Sequence, residues 1–226
     1  MKHVQGISLD LDDTLWDVWS VIGRAEAGPL YRHIQAHYPD VARRYDADAI
    51  RELRNQIVET RPDIAYDLTE SRRVSFAQML ESCGENPEDS HALMAYFLEL
   101  RHEVELFPDV EPALKALSTR YDLIALSNGN ADVRRLSIGP LFKGQVSAAS
   151  AGVKKPDRHI FEVGCQELGM DPGAVLHVGD HPFEDVLGAK DAGPSARLGE
   201  PDGCVLAAPT AARCRGQGHG RTGSSS

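Results

Sequence analysis

One strand, then about ninety residues without any, then a regular alternation of strands and helices: this ordering constrains the fold more than any other feature of the chain. The apolar run over 4–11 reads as a strand that leads straight into the acidic cluster DLDDTL. From Trp16 to about Val104 only helical periodicities follow. Ile50, Leu53, Ile57 and Val58 share a face behind the capping candidates Asp46 and Asp48. Asp67 or Thr69 is placed to cap a helix reaching Leu80, and Leu93, Met94, Phe97 and Leu98 stripe another that follows Asn86 and Pro87. We read this stretch as an all-helical insertion of about four helices.

The alternation resumes after Pro108, with a helix entered through Pro112 and strands at 122–127, 145–149 and 174–179. Pro156 is expected to open a helix running to Leu168, and another is expected over 183–192. Strands alternating with helices imply a parallel sheet covered on both faces. The expected fold class is therefore α/β, a Rossmann-like doubly wound core made of 1–15 and 105–195 and interrupted by a helical cap over 16–104. Residues 196–226 contain no aromatic residue and end in GQGHGRTGSSS, so they are expected to form an irregular tail.

Composition excludes several partners. Asp and Glu outnumber Lys and Arg by 34 to 24, a net charge of -10 that repels nucleic acid and anionic membrane surfaces. No apolar stretch reaches membrane-spanning length and residues 1–6 do not resemble a secretory signal, so a cytoplasmic location is expected. Cys83, Cys165, Cys204 and Cys214 show no CxxC pairing and are read as reduced thiols. The same negative field opposes any phosphorylated ligand, so phosphate chemistry here requires a local cation and oriented donors.

Four segments offer such groups. Asp10, Asp12 and Asp13 crowd together beyond a strand, a costly arrangement unless a divalent cation neutralises it. Alternation along an extended chain points Asp10 and Asp12 the same way and Asp13 elsewhere. Taken alone, the cluster is also compatible with an Asp-rich turn capping a helix at Thr14. LIALSNGN ends a strand in Ser127 and Asn128, donors for phosphate oxygens, although strand-ending serines are common. GVKKPDRHIF sets Lys155 near the positive end of a helix, with Lys154 as a surface residue. VLHVGDHPFED places Asp180 after a strand, where it would supply a second carboxylate to the metal, and Glu184 and Asp185 at the start of a helix that Asp180 or Asp185 could also cap; His177 and His181 read as strand and loop residues.

In order and spacing these segments resemble the haloacid dehalogenase superfamily over Ile7 to Gly193. The resemblance implies Asp10 as nucleophile, Asp12 as general acid and base kept protonated by neighbouring negative charge, and Ser127, Asn128 and Lys155 as phosphate holders. It also implies magnesium (Mg2+) held by Asp10, Asp180 and the Asp12 carbonyl, with Asp185 supporting it through water. The substrate would be a small-molecule phosphate ester. The runs DLDDTLWDVWSVI, YDLTESRRVSF and LSNGN further resemble a bacterial subgroup that dephosphorylates flavin mononucleotide and ribitylaminouracil phosphate. Trp16 and Asp17 are candidates to face that substrate, whereas Arg72 and Arg73 read as helix-surface charge. Two alternatives stay open: a 2-haloacid dehalogenase, although that branch typically lacks the acid two residues beyond the nucleophile, and a phosphate-binding protein without turnover. PSARLGEPDG departs from the family, which continues with another strand and helix, so a missing terminal strand, through truncation or an altered reading frame near Pro194, is expected.

Overall fold

The computed structural model describes residues 4–192. Four parallel strands form one sheet in the order β3-β2-β1-β4: β1 (Gly6–Leu9), β2 (Asp122–Ser127), β3 (Gly144–Ser147) and β4 (Val175–Val178). The register aligns Leu9 with Ala125 and Val178, so the strands finish level and the loops beyond Asp10, Ser127 and Val178 open on the same edge. Period-two alternation divides β2 between two layers. Leu123 and Ala125 pack with Ile7, Leu9 and Val110 on one face, while Ile124 and Leu126 pack with Val146, Ile160 and Phe161 on the other. Each large aliphatic side chain so buried contributes roughly 1.5–3 kcal/mol.

Between β1 and β2 the chain leaves the sheet. Six helices, α1 (Val18–Ala25), α2 (Tyr31–His37), α3 (Pro39–Arg44), α4 (Ala47–Thr60), α5 (Leu68–Ser82) and α6 (Ser90–Arg101), gather around a separate apolar cluster that includes Ile34, Phe76, Met79, Leu93 and Phe97. The expected four helices become six because the first is divided. Gly28 and Pro29 open a wide π-helical turn over Glu26–Leu30, and Pro39, which lacks an N–H, starts α3 anew. Asp17, Asp46 and Asp67 accept hydrogen bonds from first-turn N–H groups of α1, α4 and α5, so Asp67 rather than Thr69 is the cap of α5. The chain returns where it left: Phe107 N–H donates to the Leu15 carbonyl at 2.9 Å beside an antiparallel bridge between Trp16 and Leu106.

Past this junction come α7 (Val110–Ser118), α8 (Ala148–Ala151), α9 (Arg158–Glu167) and α10 (Gly188–Ala192). Several expected boundaries move. The 4–11 strand is shorter at both ends, and the 145–149 strand stops at Ser147, which caps α8 through a reciprocal pair with Ser150. Pro156 does not open α9: the Lys155–Pro156 peptide is cis and Asp157 caps the helix instead. The helix expected over 183–192 begins as a π-helical turn, Pro182–Leu187, and becomes α-helical only at Gly188. The irregular tail and the missing terminal strand fall outside the described residues, as do Cys204 and Cys214. Cys83 and Cys165 are free thiols. No helix among the described residues is long and apolar enough to cross a membrane.

Candidate active site at the carboxyl edge of the sheet

The first loop of the site follows from β1. Asp10 N–H donates to the Val178 carbonyl at 2.8 Å, which ties the end of β1 to the end of β4 and brings Asp10 next to Asp180. Thr14 Oγ1 lies 3.2 Å from both Asp10 Oδ2 and Asp180 Oδ1 and links the two loops directly. Asp13 takes a left-handed backbone conformation (φ 59°), not the extended one that alternation assumes, and is exposed.

Lys155 is the cation at the centre. It is 1% exposed, and its Nζ donates to Asp10 Oδ1 at 2.5 Å and to Asp185 Oδ1 at 2.6 Å, while Lys154 is exposed. Asn128 fixes the backbone of Lys155 at both ends, accepting from its N–H at 2.7 Å and donating to its carbonyl at 3.0 Å. The Asn128 amide also donates to Glu184 at 2.9 Å. The Asn128 side chain thus builds the lysine loop, a role distinct from the expected donation to phosphate. Ser127 is buried, its Oγ accepting the Gly129 N–H at 2.9 Å.

Asp185 receives three donors, Lys155, the His177 ring Nε2 at 3.0 Å and the His181 N–H at 2.9 Å. His177 is held in turn by Ser8 Oγ, 2.9 Å from its Nδ1. A Cβ on Gly179 would lie within 3.0 Å of the Asp185 carboxylate, so only glycine lets that acid close over the loop.

Burial and charge set the ionisation of these groups. Desolvation, reinforced by the Asp185 charge and opposed by Lys155, pushes Asp10 up from 3.8 to about 7. Desolvation likewise raises Asp180, with Asp185 and Asp13 adding to it. Burial also works against ionising Asp185, but hydrogen bonds and charge from His177 and Lys155 outweigh it and hold this acid well below the carboxylate range. Lys155 is raised, because Asp10 and Asp185 outweigh its desolvation. His177 is lowered by burial and by Lys155. One oxygen each from Asp10, Asp180 and Asp185 lies within 4.8 Å of the others. Hard oxygen ligands of this kind suit a magnesium-sized cation better than a soft metal.

Asp12 is held differently. Its Oδ1 accepts from the Trp16 indole at 2.9 Å and from Arg101 at 2.5 Å, so its nearest hydrogen-bond partners are an indole and a cation rather than the other acids. That corrects the expectation of an acid surrounded mainly by negative charge. It remains close enough for its charge to raise Asp10. Trp16 is fully buried in the sheet-side core and does not face a ligand, and the exposed Asp17 is engaged as a helix cap. Arg72 is no surface charge. It is 3% exposed, pairs with the buried Glu26 at 2.7 Å and lies over the Phe97 ring, and burial lowers it to about 10. Arg73 is paired with Glu70 on its own helix.

Residues that sequence patterns did not single out are Arg101, Thr14 and the buttressing role of His177. Only Thr14, inside the DLDDTL run, carried a local signal. Beside the site a cleft of about 370 Å³ runs between Tyr66–Thr69 of the helical segment and residues 129–132, 134, 145, 147 and 149–150 of the sheet side, spanned by a 3.3 Å hydrogen bond from Asn130 to Thr69.

Comparison with known proteins agrees on the fold and divides on the reaction. The family described as haloacid dehalogenase-like hydrolase matches residues 4–193. The chain is 30% identical over 200 residues to 5-amino-6-(5-phospho-D-ribitylamino)uracil phosphatase YigB of Escherichia coli (strain K12), covering 87% of this chain and 83% of that protein. It is 29% identical over 205 residues to haloacetate dehalogenase H-2 of Moraxella sp. (strain B), covering 84% and 83%. Among solved structures, a 2-haloacid dehalogenase from Pseudomonas syringae pv. Tomato DC3000 matches with a TM-score of 0.76 at 33% identity, over 86% of this chain and 85% of that one.

Proposed function

Because the chain belongs to the haloacid dehalogenase-like hydrolases, we propose that it is a magnesium-dependent phosphomonoesterase that works through an aspartyl phosphate on Asp10. One observation carries this choice over dehalogenation: an acid, Asp12, is held beside Asp10 with its Oδ1 clamped and its Oδ2 turned toward Gly129 and Ser127. A departing halide needs no proton, so an acid here has no work in a dehalogenase; a departing alkoxide does.

In this reading Asp10 attacks phosphorus, the bond from phosphorus to the ester oxygen breaks, and that oxygen leaves with the electron pair and the proton of Asp12. Water then attacks the phosphorus of the aspartyl phosphate, gives its proton to Asp12, and Asp10 departs as the carboxylate. Ser127 and Lys155 hold the phosphoryl oxygens, and Lys155 also restrains Asp10. Asp10, Asp180 and the Asp12 carbonyl would hold magnesium, with Asp185 behind them, and the bound ion would screen the phosphate charge. The elevated proton affinity of Asp10 fits this demand, since a buried carboxylate among acids is stabilised as an anion when a cation is present.

We assign 16–104 as a cap over the core formed by 1–15 and 105–195, with the leaving group in the cleft between them. About 370 Å³ exceeds what a haloacid occupies and suits a larger alcohol. The relation to a ribitylaminouracil phosphatase favours a flavin mononucleotide or ribitylaminouracil phosphate as substrate. Phosphate release measured over a panel of these esters, sugar phosphates and nucleotides, with magnesium and with chelator, tests the proposal. Asp10→Asn should abolish turnover. Chloride release from haloacids without magnesium, or equal phosphatase activity in Asp10→Asn, would overturn it.

A further inference from the structure

A guanidinium is costly to bury, and Arg101, the last residue of α6, is 1% exposed. Its Nη2 donates to Asp12 Oδ1 at 2.5 Å, whereas its Nε and Nη1 find no hydrogen-bond partner among the described residues. The guanidinium lies 5.9 Å from the centroid of the Trp16 ring, whose Nε1–H donates to the same Asp12 oxygen. Asp12 Oδ1 therefore takes two donors. Its Oδ2 instead comes within 3.0 Å of the place a Cβ on Gly129 would occupy, a point 3.2 Å from Ser127 Oγ.

The two partners belong to different parts of the fold. Asp12 follows β1, and Arg101 ends the helical segment just before the chain returns to the sheet through the Trp16–Leu106 bridge. We infer that Arg101 is a positioning residue: by clamping Oδ1 it selects the Asp12 rotamer that presents Oδ2 to the ester oxygen, and it makes the acid function depend on the helical segment being docked against the sheet. This inference rests on the phosphatase reading above. Freed from the clamp, the Asp12 side chain can occupy other staggered wells and carry Oδ2 away from the leaving oxygen. A displacement of about 1 Å is enough to lose roughly 10²-fold in rate.

The leaving group distinguishes positioning from mere structural support. An alkyl ester oxygen needs the proton of Asp12, whereas nitrophenolate departs readily without it, and kcat/KM reports the steps up to phosphoryl transfer. Arg101→Met should lower kcat/KM for an alkyl phosphate by roughly 10²-fold and affect p-nitrophenyl phosphate far less, with Arg101→Lys falling between. In an Asp12→Asn background Arg101→Met should add no further loss on the alkyl ester. Equal losses on both esters, or a full additional loss in the Asp12→Asn background, would overturn the inference. If Arg101→Met does not fold by circular dichroism, the same comparison made with Arg101→Lys decides. Wild-type protein that releases phosphate from no ester refutes the phosphatase reading itself, an outcome distinct from equal losses in the variants.

Discussion

Asp10→Asn should make the metal-free protein more stable, by under about 2 kcal/mol at pH 5 and by about twice that at pH 8. In the unfolded chain this carboxyl ionises near 3.8 and in the folded protein near 7, raised by burial and by Asp185. Between those values the folded state keeps a proton that the unfolded state has lost. The stability that this protonation supplies is complete below pH 3.8, declines as pH rises, and is gone above about 7. About three pH units at about 1.4 kcal/mol each puts the loss at up to about 4 kcal/mol. Asparagine has no proton to lose and its carbonyl still accepts from Lys155, so the variant escapes this decline. Asp180 and His177 also titrate abnormally but are common to both proteins, whereas Lys155 and Asp185 titrate together with Asp10, so the difference reports the coupled site. Urea unfolding of both proteins from pH 4.5 to 8.5, with chelator, reads that difference directly. Magnesium at about 100 times its dissociation constant should then restore about 2.7 kcal/mol to the wild type at pH 8 and much less to the variant. A wild type as stable as Asp10→Asn at pH 8, or a difference that does not change with pH, would refute the assignment of Asp10 as a carboxyl strained by its neighbours.

Gly129→Ala places a Cβ against Asp12 Oδ2; because the end of a side chain can yield, the protein should fold with a loss of no more than about 1–3 kcal/mol, yet phosphate release should fall about 10²-fold, and unchanged turnover at equal folded fraction would contradict the placement of Asp12. Glu26→Ala strips the buried Arg72 of its counter-charge and should cost about 3–5 kcal/mol by urea midpoint, while Glu26→Met combined with Arg72→Met should recover most of that loss; a single-variant cost below about 1 kcal/mol would show the pair to be solvated.

The parallel sheet, the interruption by helices and the strand ends carrying Asp10, Ser127 and Asp180 were legible in the sequence because each rests on local rules. A short apolar run places Leu123 through Leu126, and capping aspartates place α4 and α5. The order of the acidic and lysine segments was equally visible, and it suffices to indicate the family. The partners of the buried charges were not. Arg72 looked like helix-surface charge, and Arg101 carried no signal at all. Both are enclosed because Glu26 and Asp12 reach them from distant parts of the chain. His177 read as a strand residue until the turn after β4 brought Asp185 against it. Periodicity reports which side of an element is apolar, a property of neighbours along the chain. Whether a charge can be buried depends on which opposite charge or donor meets it, and only the packed tertiary structure decides that.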